Sequence, residues 1–235
     1  MTTFLEINKS KFKSKIGFIY YLWINPEDGD ERIIFLSNKK ESLNQYIEEL
    51  KIKYKLNLAR NPQIKNKPSV NRFSPHRSKL DNSNLHKSKL FKSKPYNSKL
   101  NKSKQNKSIS VLLLNELKSE KIEDAIIDYL SGKLKEIGIK PYFLLGSEFE
   151  KKVWNSAISI PYGLTISYKE LAQRAGHPLA CRAAGTAMKN NPVMLIVPCH
   201  RVIKSNGKLG NFGGGVEIKK FLVNMEATNM EVSSK

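Results

Sequence analysis

Cysteine is nearly absent from this chain: two residues, Cys181 and Cys199, in 235. Two are too few for a disulfide framework or a cysteine-rich zinc site, so a reducing, intracellular setting is expected. Acid is scarce too. Lysine and arginine number 41 against 21 aspartates and glutamates, a formal charge of +20. That balance favours a polyanionic partner, nucleic acid first. A solvated surface or a charged tail is the plainer alternative. No apolar run approaches ~18 residues, which excludes a membrane-spanning helix. The opening "MTTFLEINKSKFKSKIGF" has lysines but no long apolar stretch, so no secretory signal is expected.

The positive charge is unevenly spread. Residues 61–110 hold 13 lysines and arginines against the single acid Asp81, a net +12, so +8 of the formal +20 falls elsewhere. Ser-Lys-Leu recurs at 78–80, 88–90 and 98–100 in a background of Asn, Lys and Ser. Such a stretch cannot bury enough apolar surface to offset its ordering entropy, so 64–108 reads as a disordered insertion. A basic tether on DNA and an inert low-complexity insert both fit it.

Folded sequence flanks the insertion. "IGFIYYLWI" (16–24) and "RIIFLS" (32–37), separated by turn residues, predict a hairpin. Leu43, Tyr46, Ile47 and Leu50 predict a helix over 42–56. The stretch 110–138 has helical spacing, with Gly132 and Gly138 as stops. Ser147 with Glu150, and Ser167 with Glu170, mark two capping boxes. The second leads "SYKELAQRAG" (167–176), and "CRAAGTAMKNN" (181–191) follows, stopped by Pro192. Two short helices so close together have helix-turn-helix spacing. "VMLIV" (193–197) reads as a short buried strand or extended segment. A last helix places Ile218, Phe221, Leu222 and Met225 on one face.

The string "IVPCHRVI" (196–203) concentrates the chemistry: a thiol, an imidazole and an arginine in a row. A thiol is a poor nucleophile until deprotonated, with a free pKa of about 8.5. His200 can take that proton from Cys199, directly or through a water, if a third group fixes its tautomer. Glu170, Glu217 and Glu226 are all available for that, and the residues alone do not choose. For an arbitrary Cys-His pair, a buried cysteine beside a surface histidine is commoner. The glycines of 210–215 allow close approach to a flat ligand, on which Phe212 could stack. An ordinary surface loop is the alternative. Arg182 could reach a DNA groove from a helix face kept bare by Ala183, Ala184, Gly185 and Ala187, or it is simply solvated.

"PCHRVI" (198–203) followed by "GNFGGG" (210–215) resembles the O6-alkylguanine-DNA alkyltransferases, the suicide DNA-repair methyltransferases. The likeness extends to "SYKELA", "RAAGTAMKNNP" and "FLVNME", covering essentially all of 142–235. It implies irreversible transfer of a methyl group from O6-methylguanine, and from O4-methylthymine, in double-stranded DNA to Cys199. His200 would be the water-assisted base, Glu226 its orienting carboxylate and Asn191 the hinge asparagine. Tyr168 would press on the target phosphate and give a proton to guanine N3. Arg182 would replace the flipped base, with Ala183 and Thr186 beside it on the DNA. Val197, Phe212, Gly213 and Gly214 would form the guanine pocket.

The fold so implied is α/β (α+β). A small ribonuclease-H-like sheet-and-helix domain (1–63 and 109–141) would precede a winged-helix-like helical domain (142–235). No cofactor and no metal are expected, since the N-terminal half has no cysteine to hold zinc. A monomer is expected, cytoplasmic in a prokaryote or nuclear in a eukaryote. Phe212 stands where some members have tyrosine, Gly213 where others have a small polar residue, and Met194 where some have proline. These departures bear on the range of alkyl groups. Two rivals remain: a lesion sensor that flips bases without chemistry, which would lack the cysteine, and a sequence-specific regulator, for which Ala183, Ala184 and Gly185 are poorly suited.

Overall fold

Lysine at alternate positions conceals a strand at the start of the chain. In the computed structural model, which describes residues 3–26, 28–54, 58–59 and 109–232, β1 runs Thr3–Ser14. It pairs antiparallel with β2 (Gly17–Ile24), Ser14 facing Gly17 across the turn. Along β1, Ile7 faces one side of the sheet while Phe12 packs on the other. The exposed Lys11 and Lys13, with Lys15 in the turn beyond, mask that period-two pattern. The predicted hairpin is β2 with β3 (Arg32–Ser37), joined antiparallel. Residues 64–108, read above as a disordered insertion, lie outside the described residues.

The helical reading of 110–138 needs correction. Its first part is a strand, β5 (Ile109–Asn115), lying parallel to β1 on one side and to β4 (Leu58–Ala59) on the other. A strand between two parallel neighbours is a near-continuous apolar run, which periodicity cannot separate from a buried helix. The helix begins later, as α2 (Glu120–Ser131). Ser119 caps it by accepting from Ile122 N at 3.2 Å, and the left-handed Gly132 (φ 83°) ends it.

The sheet runs β4-β5-β1-β2-β3-β6, with β6 at Lys140–Pro141. Helix α1 (Lys40–Tyr54) buries Leu43, Tyr46, Ile47 and Leu50 against Ile7, Leu22, Ile34 and Phe35 on one face. From the other face Tyr21, Trp23 and Ile33 enter a larger core, shared with the helices that follow. These are α3 (Glu148–Ile158), α4 (Tyr168–Arg174), α5 (Cys181–Lys189) and α6 (Val216–Val232). The small strands β7 (Ile166–Ser167) and β8 (Val202–Ile203) pair in parallel beside them. The fold is thus mixed α/β, a six-stranded sheet followed by a helical region.

The box at α3 is complete, Ser147 and Glu150 each bonding the other's backbone amide. At α4 only half forms. Ser167 accepts from Glu170 N at 3.1 Å, but the Glu170 carboxylate turns to Arg174 four residues on. Residues 193–197 are a turn rather than a strand. Leu36 N donates to Pro192 O (2.8 Å) and Met194 N to Leu36 O (3.0 Å), which pins the segment to β3. Leu195 then takes a positive φ of 73° and the chain reverses, so that Met194 and Val197 bridge. The reversal delivers Cys199 to the larger core.

Candidate active site

Pro198 ends this turn, and Cys199–Arg201 form a single 3-10 turn that places three side chains inward. Cys199 is 8% exposed and His200 0%. Asn191, just beyond α5, ties the turn together. Its Nδ2 donates to Val197 O at 2.9 Å and to Cys199 Sγ at 3.2 Å, while its Oδ1 accepts from Val193 N at 2.9 Å. Burial pushes the Cys199 thiol up, against the Asn191 hydrogen bond and the charge of Lys219. The resting sulfur is therefore protonated and needs a base.

His200 follows it in the same turn. Its Nε2 lies 2.8 Å from Glu226 Oε1, and Nδ1 is buried with no hydrogen-bond partner among the described residues. Burial pushes the imidazole below its usual range, outweighing the pull of Glu226. Burial alone would raise the Glu226 carboxyl, yet His200 and Arg201 hold it down at about 2. An ionised carboxylate can only accept, so the Nε2 proton points at Glu226 and the Nδ1 lone pair is free.

Glu226 is anchored on all sides. Arg201 Nε reaches Oε2 at 2.9 Å, its Nη2 reaches Oε1 at 3.0 Å, and Gly163 N donates to Oε2 at 2.9 Å. Arg201 Nη1 also donates to Ile160 O at 2.7 Å. The Tyr129 hydroxyl, from α2, donates to Glu226 Oε1. Of the three glutamates left open by the residues, Glu226 is thus the one beside His200, whereas Glu170 pairs with Arg174.

Tyr168 opens α4, and the buried Lys219 ammonium lies 5.9 Å from its ring centroid. Burial pushes Lys219 down to about 8, with Cys199 pulling it back. Its Nζ donates to Val202 O at 2.6 Å. Helix α5 turns Ala184, Ala187 and Met188 inward and leaves Arg182, Ala183 and Thr186 exposed along its outer side. Val197 spends its carbonyl on Asn191 Nδ2 and on Cys199 N (2.8 Å), inside the chain. In the glycine-rich loop Phe212 packs against the core and Gly213 is open to solvent. A Cβ on Gly214 would sit 2.8 Å from the Phe212 ring, and Asn38 Nδ2 donates to Gly214 O at 3.2 Å. The structure therefore gathers Cys199, His200, Glu226 and Asn191 tightly, with Tyr168 nearby.

Three side chains here escape sequence reasoning: Tyr129, Arg201 and Lys219. The inner face of α6 is Lys219, Leu222 and Glu226, whereas Phe221, expected inside, is 39% exposed. A helix that lines a polar site buries polar residues, so an apolar stripe is the wrong signal there. Arg201 sits next to the histidine, which was its only cue.

Among the described residues no group of three or more His, Cys, Asp or Glu could hold a metal ion. No described helix is long and apolar enough to cross a membrane.

Residues 148–228 match the family model described as 6-O-methylguanine DNA methyltransferase, DNA binding domain. The methylated-DNA–protein-cysteine methyltransferase of Methanosarcina acetivorans is 47% identical over 100 residues, 43% of this chain and 64% of that protein, so the chain spans less than two thirds of this relative. The same-named protein of Methanosarcina mazei is 43% identical over 111 residues, 47% of this chain and 70% of its own. The crystal structure of O6-methylguanine methyltransferase from Mycobacterium tuberculosis superposes with a TM-score of 0.58 at 22% identity, over 95% of this chain and 94% of that one, which supports the fold.

Proposed function

The chain belongs to the methylated-DNA–protein-cysteine methyltransferase family, and from that premise we propose that it repairs DNA by direct reversal. It takes the methyl group of O6-methylguanine, and of O4-methylthymine, onto Cys199, irreversibly and once per molecule. The observation that supports this most is the buried relay beside Cys199, a neutral imidazole with Nε2 on ionised Glu226 and Nδ1 unpartnered. Burial keeps the thiol protonated, and a neighbouring base with a free lone pair is what would turn it into the nucleophilic thiolate.

The lesion lies inside a duplex, so the nucleotide must leave the stack, at a cost of a few kcal/mol. The exposed outer side of α5 suits the approach to DNA, with Arg182 filling the vacated space and Ala183 and Thr186 allowing close contact. Tyr168 disfavours the stacked nucleotide from the start of α4, and Phe212, Gly213, Gly214 and Val197 border the pocket for the everted base. The Cys199 proton passes to His200 Nδ1, directly or through a water. The sulfur attacks the methyl carbon in line, an S–C bond forms and the C–O6 bond breaks. The released electron pair is neutralised by a proton given to guanine N3 by Tyr168. The thioether has no acidic proton and is inert to the site's base, so the step is not reversed and each molecule acts once. The partner is double-stranded DNA, met by a monomer that needs no cofactor.

The test is to incubate the protein with a duplex bearing O6-methylguanine and weigh its peptides. The expected result is a gain of one methyl on the Cys199 peptide. Tight lesion binding without an adduct would favour a sensor and overturn transfer. Arg182→Ala is expected to slow reaction with methylated duplex about tenfold or more, the scale of a lost stacking contact. Reaction with free O6-benzylguanine should be little changed, and equal losses on both substrates would remove the role given to Arg182.

A further inference from the structure

Tyr129 belongs to no motif of the C-terminal half. It sits on α2, between the sheet and the helical region, and is 1% exposed. Its hydroxyl nevertheless reaches the relay twice, donating to Glu226 Oε1 and lying 3.2 Å from His200 Nε2. We propose that Tyr129 is a positioning residue of the methyl-transfer site. Its hydroxyl holds Glu226 Oε1 against His200, so that Nε2 carries the imidazole proton and Nδ1 keeps its lone pair.

A phenol has one proton to give, and here it goes to the carboxylate. Burial, and then the charge of Glu226, push the phenol well above its usual range, so it stays a donor. The phenol oxygen turned toward Nε2 is then an acceptor, as is Glu226 Oε1. With acceptors on both sides, Nε2 must carry the proton. The opposite tautomer would set a ring lone pair against a carboxylate oxygen 2.8 Å away and leave a buried Nδ1–H without an acceptor.

The same bond sets the basicity of the ring. Glu226 divides its charge among Tyr129, Arg201, Gly163 N and His200. Removing the phenol donor leaves more of that charge to the imidazole, which then binds a second proton more readily. The other charged and titratable groups facing the relay are Arg201 from the same turn, Cys199 beside it and Lys219 from α6. The Tyr162 ring, from the segment before β7, lies 5.6 Å from the Arg201 guanidinium. Of these Arg201 also interacts with the Tyr129 hydroxyl, and it keeps its charge in Tyr129→Phe.

The inference rests on the methyl-transfer reading for its rate measurement alone; the state of the imidazole is read without DNA. In the full chain labelled with 15N-histidine, NMR is expected to show His200 protonated at Nε2 and not at Nδ1. Tyr129→Phe is expected to raise the His200 titration midpoint by about one pH unit, the scale of one hydrogen bond to a charged group. Methyl transfer should then fall about tenfold on its acid limb and keep its alkaline plateau. An unmoved midpoint, or a loss uniform across pH, would show Tyr129 to be merely structural. Site-specific Tyr129→3-fluorotyrosine keeps the shape with a stronger donor and is expected to lower the midpoint; no movement or a rise would overturn the proposal. If the midpoints move as expected in a protein that transfers no methyl, the positioning role stands and the transfer reading fails.

Discussion

Cys199→Ser is expected to abolish methyl uptake, with a loss of at least about 10⁴-fold, while lesion binding survives. The size follows from the nucleophile: a hydroxyl is weak at its free pKa, and removing a central nucleophile costs factors of this order or more. Binding should persist, because the surface presented by α5 does not include the sulfur. The variant would then behave as the sensor that rivals the repair reading. A second thiol makes the result sharper. Cys181 is exposed at the start of α5, whereas Cys199 is buried. Accessibility alone would direct a diffusible electrophile to Cys181. A methyl found on Cys199 in the wild type, and nowhere in Cys199→Ser, would show that the relay selects the acceptor. A methyl on Cys181 in both proteins would refute repair by this site.

The thiol and imidazole of the candidate site were legible because they are contiguous, whereas the role of Arg201 beside them was not. "PCHR" puts a thiol, an imidazole and a guanidinium within four residues, and the family likeness singled out Glu226 from three candidates. What remained hidden is side-chain chemistry brought in from distant elements. Tyr129 occupies an ordinary inward position of an amphipathic helix, with Ile122, Ile126 and Leu130 around it, and nothing local separates a core tyrosine from one bonded to a carboxylate 97 residues away. Lys219 lies on the inner face of α6 beside the expected apolar positions, and it was missed because periodicity treats every lysine as outward-facing. The strand errors have a related cause. In β1 the exposed lysines overrode the pleat, and in β5 the apolar run suited either structure until its parallel neighbours were in place. Residues 193–197 failed through backbone conformation: a leucine at positive φ is too rare to expect.

Arg201→Met is expected to cost about 3–5 kcal/mol of folding stability, the scale for breaking a buried ion pair from one side. Glu226 is 1% exposed and would keep its charge after losing the guanidinium that meets both of its oxygens. The pH dependence identifies the cause. In the wild type the Glu226 carboxyl falls from 4.5 to about 2 on folding. A depressed carboxyl contributes stability that is complete above about 4.5 and is lost as pH falls toward 2. Without Arg201 the folded carboxyl titrates higher, so less remains to lose in that window. The gap in melting stability between the two proteins should therefore be widest near neutral pH and close steadily on acidification from about 4.5 to 2. Thermal melts across that range check it. A constant gap would trace the loss to packing of the guanidinium over the Tyr162 ring and not to the charge of Glu226. Arg201→Lys keeps the charge but loses the two-pronged geometry, and it should recover part of the neutral-pH stability while Cys199, its base His200 freed from a fixed carboxylate, takes the methyl more slowly.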